Sequence, residues 1–448
     1  EIGDADTIYA RASGQAEQER VEFVTARKPK RLGLDPRQRA HDWNALNNYE
    51  KKGIWPFQSR AGKVDSRLDN PTKEVARRDR SVVSYLPLAW FNDYGGVTGA
   101  LQSRSNYLGR FDKNRVVASY GFDPDATHRF GWYVKLANPV SHPMPRTDAS
   151  IAAWNMEGRG GIAVHSDRSL RQHLGFGQDP HAGFDAIWMA VSDIGYVDRR
   201  LWDNAGTIEG GPWGSVTSRH GDRVWKARMD LRIGAVYRNP GAGVQSSTRY
   251  DIEGFLRPTV EMSMRTPFIA KTRFGVRFFA GGYAAQNPPA LQRRIMIAGA
   301  DPYTTFDNPL LRSRGALFVR PDFHYQAPGD ANLRAFRPDL GGRWAVTLNL
   351  ETTKSLFRRQ SGLFDDVALE AFADAGLVDT LAVPSSGGQS YTTLYDGGVG
   401  VVTHHRINDL AWTMRFEVPL VVNRWDYAAD GTSKRVQFRW QLSLEPSF

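Results

Sequence analysis

The chain has 448 residues and no cysteine, which excludes a disulfide framework, a thiolate zinc site and a cysteine nucleophile. Its formal charge of +10 is not gathered into a stripe, so nucleic acid is not an expected partner. No window offers the roughly 18 consecutive apolar residues that a membrane helix needs. The chain opens with Glu1-Ile2-Gly3-Asp4 instead of a signal-peptide pattern, so we expect a processed or excised sequence.

Residues 1–80 are predicted to form a short periplasmic β segment and a linker. Within them, the run Lys28–Pro36 followed by Asp42–Asn48 resembles the closing strand of the β-sandwich behind the catalytic domain of membrane alanyl aminopeptidase-type metallopeptidases. Some bacterial members of that group carry a barrel after this sandwich. The resemblance implies a sandwich remnant here and a peptidase-like module before residue 1. A periplasmic strand pair with a linker is the alternative interpretation.

The catalytic signature of those peptidases is not found in the sequence. It requires His-Glu-x-x-His on a helix, in which two histidines bind zinc and the glutamate acts as base. None of the ten histidines is followed by glutamate, and neighbours such as His404 and His405 on a strand point to opposite faces. We therefore expect no catalytic residue, no metal and no cofactor in this chain. Any enzymatic activity would belong to a zinc peptidase-type parent protein.

From residue 81 onward, apolar and polar residues alternate in repeated segments, as in a strand with one face in an apolar medium and one in water. Inward charges such as Arg228 and Arg232 are costly in a dry sandwich core but not in a hydrated lumen. The sequence therefore predicts an all-β fold, a transmembrane antiparallel β-barrel over 81–448. Sixteen strands are predicted, or fourteen because 160–166 is short: 82–92, 96–107, 113–122, 128–137, 148–156, 160–166, 184–194, 223–238, 247–263, 268–283, 314–325, 341–355, 365–377, 395–404, 409–424 and 434–447.

This strand list also predicts the connections. Both termini lie on the periplasmic side, and the long connections 195–222, 326–340 and 378–394 lie outside. The stretch 284–313 would then be a long periplasmic connection, where barrels normally keep turns short. Either a strand is miscounted or this stretch is an insertion.

The last predicted strand alternates most strictly and runs to the end of the chain. An aromatic residue in that position resembles the signal by which outer-membrane barrels are recognised for assembly. We expect Phe438, Trp440 and Phe448 to carry this signal, with the barrel-assembly machinery as a partner during biogenesis.

Two short motifs resemble those of the surface-antigen superfamily of outer-membrane assembly and secretion barrels. Leu333-Arg334-Ala335-Phe336 resembles its hydrophobic-Arg-Gly-aromatic loop motif, with alanine in place of glycine, and Phe372-Ala373-Asp374-Ala375-Gly376 fits its Phe-x-Asp-x-Gly strand motif. The resemblance implies a loop that folds into the lumen and an arginine that pairs with the acidic face of the strand. The residues implied in this loop lock are Arg334, Phe336, Phe372, Asp374 and Gly376.

Three functions are compatible with these features. The leading hypothesis is the membrane anchor of a periplasmic peptidase-like protein whose catalytic part is not in this chain. The alternative is an assembly or secretion barrel, which opens laterally or passes a polypeptide through its lumen. A porin-like channel is the third. In each case we expect an outer-membrane location with the N-terminal segment in the periplasm, and contacts with lipid and lipopolysaccharide.

Overall fold

A computed structural model describes residues 20–22, 24, 33–34, 63–73, 80–109, 111–140, 144, 146–171, 177–238, 251–269, 271–320, 323–358, 364–385, 388–429 and 439–446. Of the predicted sandwich remnant and linker over 1–80, the structure describes only 20–22, 24, 33–34, 63–73 and 80, and Phe438 and Phe448 also lie outside the described residues. Within the described ranges, no helix is long and apolar enough to cross a membrane.

Strands make up most of the described chain. In chain order the elements are β1 Lys63–Leu68, β2 Arg80–Asn92, β3 Gly96–Asn106, β4 Arg115–Gly121, β5 Phe130–Val140, β6 Thr147–Met156, β7 Arg159–Ser169, β8 Gln178–Val191, β9 Ala205–His220, β10 Arg223–Arg238, β11 Asp251–Pro267, β12 Thr272–Gly282, β13 Ile295–Met296, α1 Pro302–Phe306, β14 Tyr325–Gln326, β15 Gly341–Gly342, β16 Trp344–Arg358, β17 Phe364–Asp379, β18 Tyr391–Ile407, β19 Leu410–Val422 and β20 Gln441–Pro446. Short 3-10 helices lie at Leu291–Arg293, Leu317–Val319 and Trp425–Tyr427.

Sixteen of these strands, β2–β12 and β16–β20, form one antiparallel meander in which each strand pairs with the next. β12 pairs with β16 across the connection 283–343. The fold is therefore a transmembrane antiparallel β-barrel, and the predicted fold class is confirmed.

The predicted number of sixteen strands results from two errors that cancel. β9 lies inside 195–222, which was predicted as a connection. Its sequence is rich in glycine, including Gly206, Gly210, Gly211 and Gly214, so few side chains reveal the alternation. Glycine is needed where neighbouring strands approach closely: a Cβ at Gly211 would lie 1.8 Å from the carbonyl oxygen of Leu231.

The second error is the predicted strand 314–325, which belongs to a connection. Only its last residue lies in a strand, the two-residue β14. Its apolar residues pack on each other, since the ring centroids of Phe318 and Tyr325 are 4.3 Å apart. Once β9 is counted, 284–313 is no longer a periplasmic turn. It is part of the single connection 283–343, on the opposite rim.

The two rims of the barrel differ in their connections. We call the rim with the two-residue turns 221–222 and 408–409 the turn rim. The opposite rim, the loop rim, has one two-residue turn, 157–158, but carries the longest connections, among them 192–204, 283–343 and 423–440. β2 begins and β20 ends at the turn rim, because the number of strands in the meander is even.

The two faces of the sheet have opposite chemistry, as β17 illustrates. Leu369 and Leu377 on its outer face are exposed, whereas Asp366, Glu370 and Asp374 on its inner face are buried. Leu101, Ile208 and Ile233 are likewise exposed on other strands. Soluble proteins rarely expose apolar patches of more than a few hundred Å². This outer face is therefore suited to lipid.

The edges of β2 and β20, where the meander begins and ends, form what we call the seam. Among the described residues no backbone pairing joins these two strands. β1 instead lies parallel to β2, with Lys63–Leu68 opposite Arg80–Tyr85. β14 lies parallel to β20, with Tyr325 opposite Leu442 and Gln326 opposite Ser443. With these two additions the sheet has 18 strands.

Candidate functional site: the lumen loop and its anchors

The connection 283–343, which we call the lumen loop, packs against the inner wall of the barrel. Its residues Ile295, Ile297 and Leu333 are fully buried. They form one apolar core with wall residues that include Val378 and Leu394. β13 and β15 pair with each other and fold the loop back on itself. The lumen is therefore occupied by the protein's own chain on the side of β16–β19.

Arg334 fixes the tip of the loop to this wall. Its Nε and Nη2 atoms donate to the two carboxylate oxygens of Asp374 at 2.8 and 2.9 Å. Its Nη1 atom donates to Glu370 and to Glu417, each at 3.0 Å. The arginine side chain is 6% exposed and the three carboxylate side chains at most 1%. We call this group the Arg334 anchor. A planar guanidinium is suited to such an arrangement because its donors form a rigid fork.

Aromatic packing completes the anchor. The Arg334 guanidinium lies 4.1 Å from the ring centroid of Phe372, within the range of a cation–π contact. Phe336 is 1% exposed and lies in the apolar core of the loop. Burial alone would lower the pKa of Arg334, but Asp374 and the two glutamates hold that pKa well above its ordinary value. The arginine therefore stays charged at any physiological pH.

A small residue lets the wall strands β16 and β17 approach closely, and a second small residue stands in the loop motif. A Cβ at Gly376 would lie 2.5 Å from Thr347 Cγ2 and 3.0 Å from the carbonyl oxygen of Val346. Ala335, which stands where the family motif has glycine, does not have a positive φ angle. The tight turn lies earlier, at Asp330 and Asn332, whose φ angles are +34° and +50°. Asparagine and aspartate tolerate positive φ angles better than most residues. Because position 335 does not need a positive φ angle, alanine can replace the glycine of the family motif there.

The Arg334 anchor connects to the last strand of the barrel. Glu370 also accepts from Arg415 Nη1 at 2.8 Å, and Arg415 Nε donates to Glu445 on β20 at 2.8 Å. Glu417 accepts from Gln441 Nε2, also on β20, at 2.7 Å. Two hydrogen-bonded routes thus lead from the tip of the loop to β20, one through the Arg415–Glu445 ion pair and one through the neutral amide of Gln441.

A second anchor, which was not predicted from the sequence, holds the first part of the loop. Arg293 donates to Asp301 within the loop at 2.7 Å and to Glu209 on β9 at 2.8 Å. Its guanidinium lies 4.6 Å from the ring centroid of Tyr303. Arg257 on β11 donates to the same Asp301 at 3.1 Å. We call this the Arg293 anchor. Its members come from distant parts of the chain, so no local sequence motif predicts it.

A third anchor, the Glu157 anchor, holds the middle of the loop at the loop rim. Ser313 Oγ donates to Glu157 Oε2 at 2.8 Å, and Trp90 Nε1 donates to Glu157 Oε1 at 2.6 Å. Arg159 on β7 donates to the carbonyl oxygen of Arg312 at 2.5 Å and to Ser313 Oγ at 2.6 Å. All five residues are buried. The loop is thus tied to three separate parts of the wall.

The loop leaves a polar cavity on the side opposite the Arg334 anchor. It has a volume of about 520 Å³ and lies between the loop and β7, β8, β10 and β11. Its lining includes His165, Asp185, Arg232 and Asp301. In the described ranges, no group of three or more histidine and acidic side chains is placed to hold a metal ion.

The structure brings together Arg334, Asp374 and Phe372, whereas Phe336 lies in the apolar core of the loop and Gly376 lies at the contact between β17 and β16. Trp440, one of the three predicted assembly-signal residues, stacks on His324 with ring centroids 4.8 Å apart. The other two, Phe438 and Phe448, are outside the described residues.

The fold and the anchors together define a class, a transmembrane β-barrel whose own loop occupies its lumen. No protein-family model and no curated protein matches the sequence. Among solved structures, the chain is similar to CdiB from Escherichia coli, with 12% identity and a TM-score of 0.47 over 86% of this chain and 76% of that chain. It is also similar to CdiB from Acinetobacter baumannii, with 11% identity and a TM-score of 0.42 over 81% of this chain and 58% of that chain.

Proposed function

We propose that the chain is an outer-membrane barrel that handles polypeptides, in assembly or in secretion. The seam carries this proposal: in the described part of the chain, β2 and β20 do not pair with each other, and each edge is covered by a short parallel strand. Strand edges are ready templates for another chain, and closed barrels normally abolish them. A seam covered only by short strands is a place where a polypeptide can engage the barrel.

The lumen loop argues against a passive porin. A porin conducts solutes through a water-filled lumen. Here the loop packs an apolar core against the wall and is held by three buried anchors. Such a barrel must move its loop, or use its seam, before a large solute can pass. The resemblance of the loop and strand motifs to the surface-antigen superfamily points to the same class of function.

The orientation follows from the rims. Barrels of the bacterial outer membrane keep short turns in the periplasm and longer loops outside. We therefore place the turn rim and the segment before β1 in the periplasm, and the loop rim outside. Lipid would contact the apolar outer face of the barrel, and lipopolysaccharide would contact the part of that face nearest the loop rim. The assembly machinery would contact the terminal strand during biogenesis.

The hypothesis of a peptidase anchor stays a prediction. It depends on Lys28–Pro36 and Asp42–Asn48, of which the structure describes only Gly33 and Leu34. The absence of catalytic residues, metal and cofactor from this chain is likewise still an expectation. Membrane-bound peptidase activity that becomes periplasmic when the barrel is deleted would support the anchor hypothesis.

The polypeptide-handling proposal can be tested in the native bacterium. The gene is deleted and complemented with the wild type, with Arg334→Ala or with Arg337→Ala, a loop arginine that forms an exposed ion pair with Asp339. Quantitative proteomics of outer membrane and medium should show polypeptides that are lost on deletion, restored by the wild type and Arg337→Ala, and restored poorly by Arg334→Ala. Liposomes that contain the purified protein should take up small sugars only slowly. An unchanged proteome together with rapid sugar uptake would favour the porin and contradict the proposal.

A further inference from the structure

Basic residues stand side by side on three neighbouring strands of the barrel wall. Arg104 on β3 lies opposite Arg115 on β4, and Arg115 lies opposite Lys135 on β5. We call these three residues the cationic row. Like charges in directly opposite positions repel each other and destabilise a sheet. The row is therefore an unfavourable arrangement unless negative charge reaches it.

The cationic row faces the lumen close to the turn rim. Along β4, Val117 shares a face with Arg115 and is buried, whereas Val116 on the other face is exposed. Arg115 is the first residue of β4, and Arg104 lies two residues before the last residue of β3. The Arg104 side chain is 42% exposed, so the row is accessible from the mouth of the lumen.

One end of the row already holds a carboxylate. Arg104 donates from Nε and Nη2 to the two carboxylate oxygens of Asp69 at 2.7 and 2.8 Å. Asp69 follows β1 and belongs to the segment before the barrel meander. The row therefore pairs with an acidic side chain that the barrel wall itself does not supply.

The other two members of the row have no such partner. In the part of the chain that the structure describes, neither Arg115 nor Lys135 forms an ion pair, and Arg115 Nε is buried without a hydrogen-bond partner. Asp307 of the lumen loop lines a small cavity with Arg115 but does not pair with it. The Arg115 guanidinium lies 5.5 Å from the ring centroid of Tyr133, a cation–π contact that holds it on the wall.

From this arrangement we propose that the cationic row binds the carboxylates of an acidic polypeptide segment that enters the lumen at the turn rim. The inference rests on the proposed function and names the class of polypeptide that the barrel handles. Neighbouring strands are about 4.8 Å apart, so the row spans roughly 10 Å. Alternate residues of an extended chain share a face and lie roughly 7 Å apart. Two acidic residues in a Glu-x-Glu pattern can therefore reach the long side chains of Arg115 and Lys135 together.

Fluorescence anisotropy tests this binding with the full chain in a nonionic detergent. The probe is a labelled nonapeptide that alternates glutamate and serine, and two reference peptides carry lysine or glutamine in place of glutamate. At low salt the glutamate peptide should bind about tenfold more tightly than either reference, and at about 1 M salt this advantage should vanish because the Debye length is then only about 3 Å.

Charge reversal at single positions locates the site. Arg115→Glu and Lys135→Glu should each weaken binding of the glutamate peptide several-fold. Lys354→Glu is the matched control, because Lys354 is exposed on the outer face of β16 near the same rim and its reversal changes the net charge equally. It should leave binding unchanged. Heat-modifiable migration shows that each variant still folds.

Cysteine capture then places the peptide, since the chain contains no cysteine of its own. Ala137→Cys lies two residues from Lys135 on the same face of β5, and Ala118→Cys lies on the outer face of β4. A glutamate peptide with a terminal cysteine should form a mixed disulfide with the first several-fold faster than with the second.

Three results would overturn the inference. They are equal binding of the glutamate and lysine peptides, equal effects of Lys135→Glu and Lys354→Glu, and equal capture at positions 137 and 118. Displacement of the peptide by an equimolar amount of phosphatidylglycerol would also contradict it, because the row would then be a site for lipid headgroups. The proteome comparison uses neither this peptide nor these variants, so either proposal can fail alone.

Discussion

At the scale of single residues, the Arg334 anchor concentrates one buried cation against three buried carboxylates. Arg334→Ala leaves all three carboxylates without their shared partner, and breaking a buried pair in this way costs about 3–5 kcal/mol. Arg334→Lys should lose less stability than Arg334→Ala, because an ammonium group keeps the positive charge but lacks the forked donors of a guanidinium. The midpoint of heat-modifiable gel migration measures the loss.

The control for this prediction lies three residues away on the same loop. Among the described residues Arg337 forms an ion pair with Asp339 alone, and its side chain is 43% exposed. An exposed pair of this kind contributes roughly 0–1 kcal/mol, so Arg337→Ala should leave the midpoint almost unchanged. A fall of similar size in both variants would show that Arg334 has no special role.

Gly376 offers a second prediction at this scale. An added Cβ would lie 2.5 Å from Thr347 Cγ2 and 3.0 Å from a backbone oxygen on β16. We expect Gly376→Ala to destabilise the barrel by about 1–3 kcal/mol, the usual cost of overpacking. Gly160→Ala is the matched control, since its Cβ would meet nothing closer than 3.8 Å. Equal thermal midpoints for the two variants would contradict the packing argument.

The Arg334 anchor was predictable from the sequence and the other two anchors were not, for a physical reason. Arg334 and Asp374 each sit in a short motif, and alternation along the strand puts Glu370, Phe372 and Asp374 on one face. Arg293 and Glu209 have no comparable pattern around them. Only the folded loop brings them together, so their pairing cannot be predicted from one sequence.

At the scale of elements, alternation is visible only where both faces carry informative side chains. β17 and β19 have apolar outer residues and polar inner ones, and both were predicted with bounds close to those observed. β9 has glycine at four positions, and it was missed. In the lumen loop a strand was predicted where there is none, because its apolar residues are spaced like those of a strand but pack on each other.

The terminal strand carries a prediction of its own. From the resemblance of its aromatic residues to an assembly signal, Phe448 is expected to act in recognition for assembly, whereas its neighbour Ser447 is not. Deleting Phe448 or changing it to aspartate should reduce the amount of heat-modifiable barrel in the outer membrane. Ser447→Asp introduces the same charge one position earlier and should reduce it less. Equal insertion of the two aspartate variants, measured by quantitative blotting of membrane fractions, would count against the signal.

At the scale of the whole molecule, the number of strands and the position of the lumen loop are linked. The loop 283–343 joins the eleventh and twelfth strands of the barrel, whereas the sequence predicted only its last part, 326–340, in that position and divided the rest between a periplasmic connection and a strand. The three anchors then divide its attachment among β6–β7, β9 and the β17–β19 wall. A loop held at separate places should not leave the lumen when one attachment fails.

Conductance in planar bilayers tests this division. The wild type should conduct weakly, because the loop occupies the lumen. Arg334→Ala should add brief openings, since the Arg293 and Glu157 anchors still hold the rest of the loop. Arg293→Ala combined with Arg334→Ala should give long, large openings, because the remaining anchor holds only the middle of the loop, while the hydrogen-bonded wall stays intact. Full opening by Arg334→Ala alone would mean that one anchor holds the loop. Persistent closure of the double variant would mean that the apolar core around Ile297 and Phe336 is sufficient.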